Sequence, residues 1–140
     1  MLKVKIKLLH PLAKVPSRKY KGDAGYDLYS IEDKILPPYS VTEVQTGIAI
    51  ELPKGYYAEI HSRSGLRRQG IFPPVGIIDE GYRGDLRVIL YNFTNKEYHV
   101  KKGDKIAQLI IKPRVEVDFI QVDELSESDR GEHGFGSTGR

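Results

Sequence analysis

Four short glycine-bearing stretches carry the side chains able to do chemistry here. In Ser62-Arg-Ser-Gly-Leu66, Arg63 can clamp phosphate oxygens and Ser64 can donate a hydroxyl, while Gly65 lets an anion approach backbone N–H groups at the start of a helix. A plainer reading makes Ser64 a helix N-cap and Arg63 a partner across an interface. Gly76-Ile-Ile-Asp-Glu-Gly-Tyr-Arg-Gly-Asp-Leu86 reads as a β-hairpin with a polar turn. Asp79 at its mouth could accept a proton from water or hold a sugar hydroxyl, with the Tyr82 ring beside it. Equally, Asp79 and Glu80 could be turn formers.

Asp23-Ala-Gly-Tyr-Asp-Leu28 sets two carboxylates around Gly25. Mg²⁺ keeps most of its waters and meets few carboxylates, so Asp27 could anchor a hydrated ion; a strand-entry turn is the alternative. Gln108 is the lone polar group of Ile106-Ala-Gln-Leu-Ile-Ile111, and its amide must find partners in backbone or ligand. The last eleven residues, Arg130-Gly-Glu-His-Gly-Phe-Gly-Ser-Thr-Gly-Arg140, have no apolar face to pack. They do hold a guanidinium, a ring and unhindered N–H groups, parts suited to a nucleotide. An arm ordering over a ligand and a solvated terminus both fit that composition.

Such side chains need a scaffold, and the dominant periodicity is two. Val4/Ile6/Leu8, Ile48/Ile50/Leu52, Tyr56/Ala58/Ile60, Leu86/Val88/Leu90 and Val115/Val117/Phe119 each mark a strand face, and Ile106–Ile111 reads as a strand buried on both faces. Pro37-Pro38, Pro53-Lys-Gly55, Pro73-Pro74, residues 81–84, Lys102-Gly-Asp104 and Pro113 punctuate them. The expected fold is all-β, a jelly-roll-like barrel or sandwich. One short helix is expected over residues 64–69, stopped by Gly70. Residues 1–129 form the expected domain and 130–140 a flexible C-terminal arm.

At 140 residues the chain suits one domain. A net charge of +3 fits an anionic ligand but is too even for phosphate-backbone binding as the main business. Lys3, Lys5 and Lys7 alternate with apolar residues, as the wet side of a strand does, and the N-terminus does not read as a signal peptide. No apolar run reaches membrane-span length, and the absence of cysteine removes disulfides, a cysteine nucleophile and thiolate metal sites. The cytoplasm is the expected compartment. Gly134-Phe-Gly-Ser-Thr-Gly139 spells G-x-G-x-x-G but lacks a surrounding βαβ unit, so a dinucleotide fold is rejected.

In this order, Asp23-Ala-Gly-Tyr-Asp-Leu, Arg63-Ser-Gly-Leu, Gly76-Ile-Ile-Asp-Glu-Gly-Tyr-Arg-Gly, Gly103-Asp-Lys-Ile-Ala-Gln-Leu and Arg130-Gly-Glu-His-Gly-Phe-Gly-Ser-Thr-Gly resemble the five signature motifs of the trimeric deoxyuridine triphosphatases (dUTPases). The resemblance spans nearly the whole chain. It implies a homotrimeric jelly roll that hydrolyses dUTP to dUMP and pyrophosphate with Mg²⁺, keeping uracil out of DNA and supplying dUMP for dTMP synthesis. It implies sites built at subunit boundaries, with one subunit's tail closing over another's pocket. Asp79 would orient the attacking water and bind the 3′-hydroxyl, and Tyr82 would stack under the deoxyribose where a 2′-hydroxyl would clash. Backbone near Gly76, Ile77, Ile78 and Arg87 would bond the uracil edge. Arg63, Ser64 and Gly65 would hold phosphates, Gln108 would support them, and Asp27 would hold metal-bound waters. Phe135 would cover the uracil while Arg130, Gly136, Ser137 and Thr138 grip the terminal phosphates.

Two departures from that pattern stand out. Ser62 replaces a frequent proline, which is expected to loosen the strand exit. Pro73 stands where some members place a uracil-touching asparagine, so base recognition here must rest on backbone. A dCTP deaminase shares the fold but needs a glutamate after the hairpin, where this chain has Ile89. A single-strand-binding module would need exposed aromatics in a basic groove; Tyr56, Tyr57 and Tyr91 sit in a pattern that better suits a partly buried sheet.

Overall fold

A computed structural model describes residues 1–136 and 139 of the chain. Ten strands and one helix appear among them: β1 (Lys5–Leu8), β2 (Tyr26–Tyr29), β3 (Lys34–Leu36), β4 (Ser40–Glu51), β5 (Tyr56–His61), α1 (Ser64–Arg68), β6 (Ile71–Phe72), β7 (Gly76–Ile78), β8 (Asp85–Asn92), β9 (Tyr98–Val100) and β10 (Lys105–Pro113). Two four-stranded antiparallel sheets, β1-β4-β8-β6 and β2-β10-β5-β7, face each other, and β3 and β9 form a separate ribbon. The result is an open jelly-roll sandwich, and neither sheet closes into a barrel. None of the described helices is long and apolar enough to cross a membrane.

Period-two patterning builds the core. Val44, Ile48, Ile50, Leu86, Val88 and Leu90 come from one sheet and Leu28, Ala58, Ile60, Ile78, Ile106 and Leu109 from the other, all buried in a single cluster. Alternate residues point outward, and Lys5 on β1 reaches Glu51 on the wet side. At one end, buried Asn92 on β8 donates its amide to the carbonyls of Leu36, Pro37 and Lys96. Its Oδ1 accepts from the Thr94 N–H and hydroxyl. That one side chain ties the β3–β4 connection to the turn after β8.

Two expectations are corrected. Residues 76–86 do not form a hairpin. β7 pairs with β5 in one sheet and β8 pairs with β4 in the other, so residues 79–84 bridge two layers. An apolar–polar–apolar pattern fits an inter-sheet corner as well as a hairpin, because both need buried strands and a wet turn. Val115, Val117 and Phe119 form no strand; they are exposed beyond the end of β10, with Phe119 96% accessible. Their alternation lacks a pairing edge among the described residues of this chain.

Candidate active site

Strand β5 delivers the first group of side chains. Its end leads through Ser62 into α1, whose N-cap position is Arg63 in extended conformation with no side-chain cap. Ser64 is therefore the first helical residue and not the N-cap, and its side chain is exposed. A helix of five residues carries little dipole, so anion binding here depends on local N–H groups and on charge. Arg63 Nε lies 3.0 Å from Asp27 Oδ1, and Lys105 Nζ lies 3.5 Å from Asp27 Oδ2. Two cations thus flank one half-buried carboxylate. The cleft alongside, about 440 Å³, is lined by Arg63, Gly65, Gln69, Gly103, Asp104 and Lys105 among others.

Gln108 shares this end of the sheet, standing between Asp27 on β2 and His61 on β5. Its Nε2 donates to the Ser62 carbonyl at 2.9 Å, which answers the requirement that the amide find a partner. A Cβ at position 25 would overlap the Gln108 amide, so Gly25 is needed for that side chain to lie across β2. Ser62 does not loosen the strand exit. Its hydroxyl accepts from Arg67 Nη1 at 2.8 Å while its carbonyl takes Gln108.

Asp27 can be tested as a magnesium residue on its donor set. No cluster of three His, Cys, Asp or Glu side chains capable of holding a metal occurs among the described residues. Mg²⁺ commonly binds through one or two carboxylates plus waters and phosphate oxygens, and Asp27 beside a cleft lined by Arg63, Asp104 and Lys105 fits that mode.

The second group sits in the corner of residues 79–84. Asp79 is exposed. The Tyr82 hydroxyl donates to the Asp85 carbonyl at 2.9 Å, and its N–H to the Asp79 carbonyl at 3.1 Å. Tyr82 lies against the loop because residue 84 is glycine; a Cβ there would overlap the phenol ring. Arg87 on β8 is exposed and pairs with Asp85 at 2.9 Å and Glu43 at 3.1 Å. Hydrogen bonds from Arg87 hold the Asp85 carboxyl below its ordinary range.

Because β7 and β8 do not pair with each other, each keeps a free edge. β7 is the last strand of its sheet, so the main-chain groups of Gly76–Ile78 that point away from β5 are unpaired among the described residues. β8 meets β6 only at Tyr91 and Asn92, which leaves the same side of residues 85–90 open. Both edges converge on the Asp79 loop. Pro73, buried between β6 and β7, has neither a polar side chain nor an N–H to offer.

These two groups do not meet within one chain. Ile78 pairs with Ala58, which places Asp79 level with Tyr57. From Tyr57 to Arg63 the chain runs on along β5, roughly 20 Å at about 3.3 Å per residue. Among the described residues, the tail forms no hydrogen bond to either group. Phe135 is fully exposed, Arg130 Nε donates to the His133 carbonyl at 2.7 Å, and Gly131 N–H donates to Ser128 Oγ. Gly136 lies in the same exposed stretch, while Ser137 and Thr138 fall outside the described residues.

Sequence reasoning missed three features. Lys105 beside Asp27 is one; the glycine-lysine turn before the Gln108 strand was its signal. Another is Glu59, buried on β5, which is bonded by His61 Nε2 at 2.7 Å, the Tyr57 hydroxyl at 2.7 Å and Lys112 Nζ at 3.0 Å. Those partners, His61 foremost, depress its carboxyl to about 2. The third is the Glu80–Arg114 pair beneath the Asp79 loop, at 2.8 Å.

Fold and site together define an antiparallel β-sandwich with an anion-ready strand exit at one end of β5 and a carboxylate-bearing corner at the other. The dUTPase family model matches residues 12–139, and the chain belongs to the dUTPase family. It is 47% identical over 99% of both chains to the deoxyuridine 5′-triphosphate nucleotidohydrolase of Alkaliphilus metalliredigens. It is 49% identical to that of Clostridium tetani, over 98% of this chain and 97% of the relative. Staphylococcus bacteriophage 80alpha dUTPase, solved with dUPNHPP, superposes with a TM-score of 0.94 at 34% identity over 99% of both chains. A D95N dUTPase mutant from phage phi11 of S. aureus, which coordinates a structural Mg(II) ion, matches at 0.84 and 29% identity, over 89% of this chain and 99% of that one. The chain is thus a dUTP diphosphatase, an enzyme that hydrolyses dUTP.

Proposed function

We propose that each active site is assembled from more than one copy of the chain, in a homotrimer, and converts dUTP and water to dUMP and pyrophosphate. The position of Asp79 carries this reading. Its exposed carboxylate stands between two open strand edges, roughly 20 Å from Arg63 of its own chain. An orienting carboxylate must lie within hydrogen-bond reach of the water it aims at phosphorus. A second copy that places its Arg63 turn against the first copy's Asp79 corner satisfies that requirement. Exposed Val115, Val117, Phe119, Ile120 and Leu125 also support assembly, because they offer apolar surface that another copy could cover.

Uracil enters between the open edges and is read by main-chain N–H and C=O groups near Gly76, Ile77, Ile78 and Arg87, a pattern a cytosine edge mismatches. The Tyr82 ring, held by its bond to Asp85, lies under the deoxyribose and crowds out a 2′-hydroxyl. Asp79 aims a water at the α-phosphorus and holds the 3′-hydroxyl. The new bond joins water oxygen to the α-phosphorus, the bond to the β-phosphate bridging oxygen breaks, and the water's proton leaves through the carboxylate. Arg63, Ser64, Gly65 and Gln108 of a neighbouring copy bind the phosphates in the cleft beside α1. Asp27 would hold Mg²⁺ through metal-bound waters, and the ion would neutralise phosphate charge. Residues 130–140 form an arm in which Phe135 covers the base and Arg130, Gly136, Ser137 and Thr138 grip the outer phosphates, excluding bulk water. The dUMP formed feeds dTMP synthesis, and removal of dUTP keeps uracil out of DNA.

Pyrophosphate release is to be measured over dUTP, UTP and the four common dNTPs, with and without Mg²⁺. The expected result is Mg²⁺-dependent release from dUTP alone. Asp79→Asn is expected to abolish turnover while retaining nucleotide binding by calorimetry. An unchanged kcat in that variant would remove Asp79 from the mechanism.

A further inference from the structure

One contact beneath the Asp79 loop has no part in the roles above. Glu80 Oε1 accepts three hydrogen bonds: from Gly55 N–H at 2.7 Å, Arg114 Nε at 3.0 Å and Arg114 Nη2 at 2.8 Å. The Arg114 N–H then donates to the Gly55 carbonyl at 2.8 Å, which closes a ring through three segments. Glu80 directly follows Asp79, Gly55 belongs to the β4–β5 turn, and Arg114 is the first residue beyond β10. Both side chains are largely shielded, at 26% and 33% exposure. The Gly55 N–H and Arg114 hold the Glu80 carboxyl below its usual range. Arg114 also reaches Glu116.

A residue that merely forms a turn needs no such anchor. Arg83 Nη1 already folds the upper part of the loop by donating to the carbonyls of Glu80 at 2.8 Å and Tyr82 at 3.2 Å. What Glu80 adds is a fixed floor, directly next to the carboxylate that must be aimed. Charge-assisted bonds of this kind are short and directional, and so suited to fixing a position. We propose that Glu80 and Arg114 are positioning residues for dUTP hydrolysis, pinning the main chain at residues 79–80 so that Asp79 meets the water without reorganisation. This rests on the role given to Asp79 above.

Steady-state kinetics on the full chain test it, with Glu80→Ala, Arg114→Ala, the double variant and the conservative Glu80→Gln. Each alanine variant is expected to lower kcat about 10- to 100-fold, as misplacement of a reacting group does. KM should stay within about twofold, since no substrate contact is lost. The double variant should be no slower than the slower single, because both remove one clamp. Glu80→Gln keeps an acceptor for Gly55 and Arg114 and should recover most of the rate. These losses should persist well below each variant's melting midpoint. An unchanged kcat in Glu80→Ala, additive losses, or a deficit that vanishes on cooling would each overturn the proposal. Asp79→Asn in the same assay separates the two ideas: if it is active, the Asp79 reading fails, whereas an inactive Asp79→Asn beside a fully active Glu80→Ala defeats the positioning claim alone.

Discussion

Glu59 shows how a side chain outside any motif can dominate its surroundings. It sits on the outer face of β5 between β7 and β10, buried, with three donors converging on its two oxygens. A carboxyl depressed from 4.5 to about 2 by folding adds stability that is fully present above 4.5 and is lost as pH falls towards 2. Melting temperature against pH should therefore drop more steeply for the wild type than for Glu59→Gln between about pH 4.5 and 2, with the two slopes alike near neutrality. Parallel curves throughout would show that the network does not couple to folding. In the sequence, Glu59 is only a polar residue within a strand run; its partners lie two residues to either side and on another strand. The motif residues were legible because each brings an unusual local composition. Glu59, Glu80 and Arg114 were not, because Glu80–Arg114 and Glu59–Lys112 pair across dozens of residues.

Strand identity was readable wherever alternation met a buried face. The rows at 48–52, 58–60 and 86–90 all fall on inner faces, and α1 ends just before Gly70. What alternation cannot specify is the partner, and both corrections are of that kind: two strands assigned to one hairpin went to different sheets, and a pattern with no available edge formed no strand. Pairing is fixed by long-range ties such as Asn92. Replacing Asn92 with leucine removes the donor to the buried Leu36 carbonyl and to the part-buried bonds at Pro37 and Lys96. Chemical denaturation of Asn92→Leu should show a loss of about 2–3 kcal/mol, chiefly from the buried Leu36 carbonyl left unpaired. A loss under about 1 kcal/mol would mean water or a shifted loop takes over those bonds.

For the complete enzyme, the distance along β5 governs everything else. Asp79 lies level with one end of β5 and Arg63 just beyond the other, so chains inactivated at different ends should complement each other. Asp79→Asn and Arg63→Ala, each inactive alone, are to be mixed, unfolded and refolded together. With random assembly about a quarter of the sites would combine an intact Asp79 with an intact Arg63 from different chains, and activity should reappear in that proportion. Absence of recovery from a correctly sized assembly would show that each chain carries its own complete site. The sequence contained all of these residues but not their separation, which emerges only from the antiparallel register of β5 and β7.

The parted edges of β7 and β8 have an evolutionary corollary. Where a base is read by main-chain atoms, exchanging one side chain for another erases none of the contacts, since every residue but proline presents the same amide. Drift in nucleobase preference would then have to come through proline, insertion or deletion in residues 76–87, changes that bend the path of the chain and leave its chemistry intact.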